Sequence, residues 1–386
     1  MKQLWISTQE CTGCGACADV CPKNAIRMDE DNCGFIYPRI TNDCVECNLC
    51  ERTCLQRGKR EASNFLIPKT YAAWTQNSEI RFCSTSGGIF SELASTVLQK
   101  DGEVAGAQYR KDNLVEHTII NSLKDLYRIR QSKYIQSEPN GIYKAVKQSL
   151  GDDKTVLFCG APCQVAALYA YLGKEYDRLI TVDFICRGMN SPKAYSSWLG
   201  EIEKSEQSKA VRVWFKYKEG GWKSSPKRTK IDFEDGHSVI KYGKDNLFMH
   251  GYLTSNLYIR PSCGNCVFKG VPRQSDITLA DFWGIEKNLD DDKGTSVVLI
   301  NSETGARIFD EVKNNLVFHE RCFEEVFKGN VCFTESVKIP EKSREFLCEL
   351  DKIPFSVAIK RYSSTSFSLR LRNRIKRIIL GNNKDK

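Results

Sequence analysis

Cys11-Thr12-Gly13-Cys14-Gly15-Ala16-Cys17-Ala18-Asp19-Val20-Cys21-Pro22 returns 33 residues later as Cys44-Val45-Glu46-Cys47-Asn48-Leu49-Cys50-Glu51-Arg52-Thr53-Cys54-Leu55. Each copy reads C-x2-C-x2-C-x3-C, the spacing in which three close thiolates grip three irons of one 4Fe-4S cubane while the fourth reaches across to a second. The repeat therefore predicts two interlocked clusters, one on Cys11, Cys14, Cys17 and Cys54, the other on Cys44, Cys47, Cys50 and Cys21. Gly13, Gly15 and Ala16 are small enough to let backbone N–H groups turn towards the sulfurs, which helps set the reduction potential. A pair of zinc knuckles has no need of a tight triplet with a distant fourth cysteine. Leu55 stands where a second proline is usual, which loosens the turn but removes no ligand. Cys33, before Gly34-Phe35-Ile36-Tyr37-Pro38, reads as a packed thiol.

Working outward, the chain has 386 residues, enough for two or three domains. With 41% hydrophobic and 27% charged residues it is globular in composition. No apolar run approaches the roughly 20 residues of a membrane span, and Met1-Lys2-Gln3-Leu4-Trp5 does not read as a secretory signal, so a cytoplasmic protein is expected. In a reducing compartment its 18 cysteines are metal ligands, catalytic groups or buried filler rather than a disulfide framework.

Residues 55–68 lack apolar periodicity and read as a linker. Ser84-Thr85-Ser86-Gly87-Gly88 then runs into a helical pattern from Ile89, and Asp101-Gly102 turns the chain into a strand near Glu103–Tyr109. Hydroxyls and glycines at a helix start suit a phosphate, or simply an N-cap. Thr155–Phe158 reads as a buried strand, followed by the turn Cys159-Gly160-Ala161-Pro162-Cys163-Gln164 and a helix over Val165–Leu172. A neighbouring strand, Leu179–Ile185, ends at Cys186-Arg187-Gly188, and Ser191-Pro192 caps another helix. Two cysteines thus stand at the carboxyl ends of adjacent strands, the edge of an open α/β sheet where ligands bind. From Val211 to Tyr242 alternating segments predict an antiparallel insertion. Cys263-Gly264-Asn265-Cys266 adds a C-x2-C pair. Together with Cys163 and Cys186 it makes four thiols, the number for a further 4Fe-4S cluster, though spacing alone admits zinc or redox-active thiols equally.

These stretches resemble the family of coenzyme F420 hydrogenase/dehydrogenase beta subunits, in the form with an N-terminal ferredoxin segment. The marks are Arg81-Phe82-Cys83-Ser84-Thr85-Ser86-Gly87-Gly88-Ile89-Phe90, Ser132-Lys133-Tyr134-Ile135-Gln136-Ser137 and Gly160–Gln164. Val182–Gly188, the Cys263/Cys266 pair and Ser275–Gly284 complete them, so the likeness runs from Cys11 to about Asn315. Arg187 and Ala161 depart from the histidine and threonine frequent at those places, which bears on substrate choice.

The resemblance implies an α+β fold: a ferredoxin-type domain with two 4Fe-4S clusters over 1–58, then an α/β flavin-binding domain with a mixed sheet and antiparallel insertion. That part divides into regions 68–150 and 151–335, and a basic tail occupies 336–386. The implied activity is an iron–sulfur, flavin-dependent oxidoreductase moving electrons between a reduced carrier, coenzyme F420 or ferredoxin, and an electron-accepting enzyme or small molecule. FAD would lie by Ser84, Ser86, Gly87 and Gly88 through its phosphates and by Lys133, Tyr134 and Gln136 through its ring. Cys163, Cys186, Cys263 and Cys266 would hold a third cluster. The rival reading is a non-catalytic electron-transfer adaptor for a partner enzyme, for instance in polysaccharide biosynthesis. No catalytic residue is singled out.

The formal charge of +9 shrinks to roughly +3 once three four-thiolate clusters with cores of about +2 are counted, so nucleic acid is not expected as a partner. The tail places Arg370, Arg372, Arg374, Lys376 and Arg377 among Phe367, Leu371, Ile375 and Ile378, which suits an anionic membrane face or a helix docked on its own domain. His117, His237, His250 and His319 read as surface or core histidines, Asp290-Asp291-Asp292 as a solvated turn, and Cys83, Cys159, Cys322, Cys332 and Cys348 as incidental thiols.

Overall fold

The computed structural model describes residues 6–57 and 62–363. The basic tail from Phe367 to Leu380 lies outside the described residues.

Between the two cysteine runs the chain forms a hairpin of β1 (Ile26–Glu30) and β2 (Ile36–Ile40). Asp31 closes it by accepting from the backbone N–H groups of Cys33 and Phe35. Short helices Ala16–Asp19 and Leu49–Arg52 carry the third cysteine of each run. Ile26 and Ile40 pack with Cys17, Cys21, Cys44 and Cys50, so the apolar residues of this small body surround the thiols themselves.

The larger body is built on a nine-stranded mixed sheet. Its strands are β3 (Lys69–Thr75), β4 (Glu103–Tyr109), β5 (Val115–Ile120), β6 (Ser137–Glu138), β7 (Val156–Cys159) and β8 (Leu179–Phe184), and then, after a separate three-stranded sheet of β9 (Ala210–Phe215), β10 (Arg228–Phe233) and β11 (Ser238–Tyr242), β12 (Ile277–Asp281), β13 (Ser296–Ile300) and β14 (Leu316–Arg321). The order in the large sheet is β14-β3-β13-β12-β8-β7-β4-β5-β6. Its centre, β12-β8-β7-β4, is parallel, and the antiparallel pairs lie outside it.

Both faces of that centre are covered, so β7 is an unbroken apolar run whose side chains alternate between two cores. Val156 and Phe158 join the helices Ile142–Gly151 and Pro162–Leu172, while Leu157 joins Ile89–Gln99 and Glu303–Val312. The helix expected from Val165 begins at Pro162, whose fixed φ suits a first helical position. Ser191 caps Pro192–Glu206 by accepting from the Ala194 N–H.

β9, β10 and β11 form the expected antiparallel insertion, which packs on an aromatic core with Tyr195, Trp198, Phe215, Phe248, Tyr258, Phe346 and Phe355. Two expectations are corrected. Residues 343–349 and 355–363, expected as tail, are helices whose Phe346, Leu347, Phe355, Ala358 and Ile359 are buried in that core. The expected linker begins later than Cys54: Leu55 is buried with Ala16 and Tyr143, and beyond the undescribed 58–61 the Asn64 amide donates to the carbonyls of Arg273 and Ser275. In the linker only single residues are buried, whereas the helix 355–363 buries the whole face of Phe355, Ala358, Ile359 and Tyr362.

Phe248 stacks with Trp198 at 5.3 Å and Tyr258 at 5.2 Å in the middle of this core. Phe248→Ala should lower stability by ~3–5 kcal/mol and depress the thermal midpoint, whereas Tyr127→Ala, on a side chain that is 72% exposed, should stay within about 0.5 kcal/mol.

Candidate functional site

The fold sorts twelve cysteines into three groups. Cys11, Cys14, Cys17 and Cys54 line one cavity with Gly13, Met28 and Leu55. Cys21, Cys44, Cys47 and Cys50 line a second with Ile26, Ile40 and Val45. The fourth cysteine of each run has thus crossed to the other run's cavity. The Gly13 N–H points at the Cys11 sulfur at 3.4 Å and that of Ala25 at the Cys21 sulfur at 3.2 Å. Burial pushes the Cys14 thiol up to about 11 and Cys17 well above its ordinary value. Such sites hold neutral thiols when bare and release protons to a metal.

Cys163 opens the helix after β7, Cys186 follows β8, and Cys263 and Cys266 sit in and after the turn Pro261–Asn265. Strands β7 and β8 are parallel neighbours, so all four thiols meet at the carboxyl edge of the sheet in a third cavity. Thr12 and Gln56 line this cavity and the first alike, so the two abut. Burial, with the other cysteines of the set, raises the Cys163 thiol well above its usual value and takes Cys186 to about 12. Among the described residues no three His, Cys, Asp or Glu side chains close round a single point as one metal ion requires. The four sulfurs of a tetrahedral zinc site each stand ~2.3 Å from one ion, whereas a cubane is held by sulfurs spread round a wider body.

Cations gather here: Arg273 is paired with Asp183, but among the described residues Arg260, Lys269 and Arg187 have no carboxylate partner. Arg260, fully buried, donates from Nε to the Cys11 carbonyl at 2.8 Å, from Nη1 to Gln136 Oε1 at 2.8 Å and from Nη2 to the Ile36 carbonyl at 2.9 Å. Lys269 Nζ donates to the carbonyls of Cys186 and Cys332. Arg187 reaches Asn256 Oδ1 at 2.9 Å and the Cys332 sulfur at 3.9 Å. A buried cation lacking a counter-anion is costly, and a cluster held by four thiolates carries net negative charge that would balance it. The donor sets and their surroundings fit 4Fe-4S groups.

A family model for the C-terminal part of the coenzyme F420 hydrogenase/dehydrogenase beta subunit matches residues 153–325, and one for a 4Fe-4S binding domain matches residues 4–27. Residues 153–325 are thus a domain of the coenzyme F420 hydrogenase/dehydrogenase beta subunit family, preceded by a 4Fe-4S binding domain. An uncharacterized protein, MJ1349, of Methanocaldococcus jannaschii is 24% identical to it over 91% of this chain and 95% of its own length. The F(420)H(2) dehydrogenase of Methanosarcina mazei has a component, designated F, that is 26% identical over 41% of this chain and 47% of its own. The coenzyme F420-dependent sulfite reductase of M. jannaschii is 24% identical over 41% of this chain and 24% of its own. The chain is an iron–sulfur, electron-transfer protein of oxidoreductase-like type. Among its described residues no helix is long and apolar enough to cross a membrane.

The two stretches expected at a flavin lie side by side: the Ser132 N–H donates to Thr85 Oγ1 at 2.8 Å, and Gln131 Nε2 donates to the Cys83 carbonyl at 2.9 Å. Ser84 Oγ donates to the Ile80 carbonyl, Ser86 Oγ to that of Thr295, and the Gly87 N–H to Ser296 Oγ. An added Cβ on Gly87 would strike the Ala73 carbonyl, and Gly88 has φ +90 at the helix cap. The stretch therefore packs on β3 and β13, while no side chain caps the helix that begins at Ile89. Gln136, 3% exposed, bridges Arg260 and the Gly13 carbonyl beneath the first cysteine loop, so it serves that loop and not a ring. Tyr134 packs edge-on to Phe215 at 5.5 Å and tilted against Tyr252 at 5.5 Å. Lys133 is different: its Nζ finds only the Arg130 and Gln131 carbonyls, and burial brings its pKa down to about 7.

Sequence reasoning passed over several groups. His117, 4% exposed, stacks on Phe158 at 5.7 Å, and neither ring nitrogen makes a hydrogen bond of normal geometry, although the Cys159 backbone is near enough to favour its protonation slightly. Cys332 lines the third cavity. Asp291 is exposed in its turn, yet it pairs with the buried Arg81 at 2.7 Å. Asp183, fully buried, pairs with Arg273 at 2.8 Å. A lone histidine or cysteine carries no spacing signal, so none of these could be found by motif.

Burial, with the positive charge of Lys133 adding to it, lowers His117 from 6.5 to about 4. Both folded and unfolded chains are neutral there above 6.5; on acidification the unfolded chain takes the proton first, so stability is lost progressively as pH falls towards 4. His117→Phe should remove this part of the acid sensitivity, on the order of 2–3 kcal/mol across that window, read from thermal midpoints against pH.

Proposed function

We propose that this chain is an iron–sulfur flavoprotein oxidoreductase. Cys11, Cys14, Cys17 and Cys54 would hold one 4Fe-4S cluster, Cys21, Cys44, Cys47 and Cys50 a second, and Cys163, Cys186, Cys263 and Cys266 a third. FAD would be held where the two stretches expected at a flavin meet, with Lys133 and Ser84–Gly88 as its candidate contacts. A flavin bound there would supply the conversion between a two-electron carrier and one-electron clusters. The reading is carried by one observation: Thr12 and Gln56 belong to the walls of both the first and the third cavity, so no gap separates the ferredoxin segment from the sheet edge. The named relatives support coenzyme F420, or a carrier like it, as the two-electron partner.

The protein's own groups have separate tasks. Arg260 fixes the first cysteine loop against the larger body. Apolar packing around Leu55, Tyr143 and Phe158 keeps water from the boundary between the two bodies. Lys133, with its pKa near 7, can hold or release a proton at Nζ at neutral pH. Asp183 with Arg273 and Asp276 with Thr181 stiffen the edge on which these groups stand.

A second reading, an adaptor delivering electrons to a partner enzyme, is favoured by the M. mazei relative being one component of a dehydrogenase. The two differ in a single assay: purified, reconstituted protein should oxidise or reduce a deazaflavin or ferredoxin carrier by itself, at a rate proportional to bound flavin. Absence of any flavin-dependent turnover would leave the adaptor.

Anaerobically reconstituted protein should contain about twelve irons per chain. Cys163→Ser or Cys266→Ser should remove about four of them and spare the rest, by iron and sulfide assay. Zinc in place of iron at this set, or no iron lost in these variants, would defeat the assignment. Lys133→Met should keep the full iron content and lower flavin-dependent turnover by roughly 10²-fold at pH 7, checked by steady-state rates per bound flavin.

A further inference from the structure

The three cysteine sets differ in the charge that surrounds them. The walls of the first cavity, among the described residues, carry no ionisable side chain other than the thiols, and Arg260 behind them joins the Cys11 loop to the Cys263 turn, so that its charge bears on the first and third sets alike. Those of the second include Lys23, Glu46 and Glu51, and Glu51 is paired with Arg57 at 3.0 Å. The third has Arg187, Lys269 and Arg273 in its walls. Arg273 is neutralised by Asp183, but among the described residues Arg187 and Lys269 have no carboxylate within ion-pair distance. Their polar partners are carbonyls, the Asn256 amide oxygen and the Cys332 sulfur.

Both cations are held in place. Lys269 Nζ lies 2.6 Å from the Cys186 carbonyl and 2.7 Å from that of Cys332, which ties two walls of the cavity together. Arg187 is fastened by Asn256 at 2.9 Å and the Leu253 carbonyl at 3.3 Å, and its guanidinium lies 5.6 Å from the ring centre of Tyr252. Its Nε is buried without a partner among the described residues. The Met189 N–H adds a donor to the Cys263 sulfur at 3.4 Å.

Adding one electron to a cluster of four thiolates makes its net charge more negative by one. Fixed positive charge in a poorly solvated surround stabilises that reduced form and raises the potential. We propose that Arg187 and Lys269 are tuning residues that hold the third cysteine set's cluster at a higher reduction potential than either cluster of the ferredoxin segment. The inference rests on the third-cluster assignment above. A low-potential one-electron donor of the ferredoxin class would then be oxidised by one electron, which comes to rest at the third set. No bond forms or breaks; the step moves an electron alone. The chain is thereby biased to run from the exposed Cys47 side inward, as a reductase of the flavin and its two-electron carrier.

The test is a potentiometric titration of the full-length, anaerobically reconstituted protein, followed by low-temperature electron paramagnetic resonance. The third signal is identified as the one missing from Cys266→Ser. It should titrate at the highest potential of the three. Arg187→Gln and Lys269→Gln should each make its one-electron reduction about tenfold less favourable, ~59 mV, and Arg187→Lys should restore most of the shift. Iron content and the two ferredoxin signals should not change. A third signal at or below the ferredoxin pair overturns the proposal, as does an unmoved midpoint in whichever Gln variant folds with full iron. Full iron in Cys266→Ser would instead overturn the third cluster itself, and that result comes from the iron assay before any potential is measured.

Discussion

A guanidinium with no carboxylate partner sits at the centre of this molecule. Arg260 is fully buried, and it donates to the Cys11 and Ile36 carbonyls of the ferredoxin segment and to Gln136 of the larger body. Its side chain lies 4.3 Å from the ring centre of Tyr37, and its own carbonyl accepts from the Cys263 N–H. One residue therefore ties the first cysteine loop to the turn bearing the third set. The approach is so close that a side chain at position 13 would collide with Arg260 and Gln136, and one at position 15 with Pro139, while both glycines also have positive φ. Gly13 and Gly15 thus serve the docking of the two bodies as much as the turning of N–H groups towards sulfur.

Charge explains why such a joint is tolerated. Desolvating an unpaired cation costs several kcal/mol, and carbonyl acceptors recover only part of it. Arg260, Arg187 and Lys269 all flank cysteine sets, and the thiols themselves are held protonated by burial in the bare protein. Cations that disfavour an empty site and thiols that must lose protons to fill it are complementary: cluster binding relieves both at once. Assembly of the metal sites and closure of the interface between the bodies are in this sense one process.

Most of the secondary structure was legible because burial follows the period of the element. Val156–Cys159 is apolar on both faces and forms a central strand, and Ser191-Pro192 marks a helix start through chemistry that is local to it. The stretch Ser84–Gly88 shows how composition underdetermines use: hydroxyls and glycines that suit a phosphate loop also pack closely against β3 and β13, and only the fold brings Thr85 against Ser132. Residues 343–363 looked like the approach to a tail because their basic and acidic side chains are numerous, while the few apolar ones that matter are shared with helices far away in the chain.

The interlocking of eight cysteines was determined by the sequence alone, since a cubane fixes the spacing of its nearest thiolates and the repeat supplies the rest. The family, too, was readable from short stretches along the chain. Only the tertiary structure could bring Cys163, Cys186, Cys263 and Cys266 to one cavity, place Cys332, Arg187 and Lys269 beside them, and show that this cavity abuts the first. The physical reason is that spacing encodes contacts within a turn or a repeat, whereas a site gathered from parallel strand ends and a distant turn depends on strand order and on desolvated charge, neither of which leaves a local pattern.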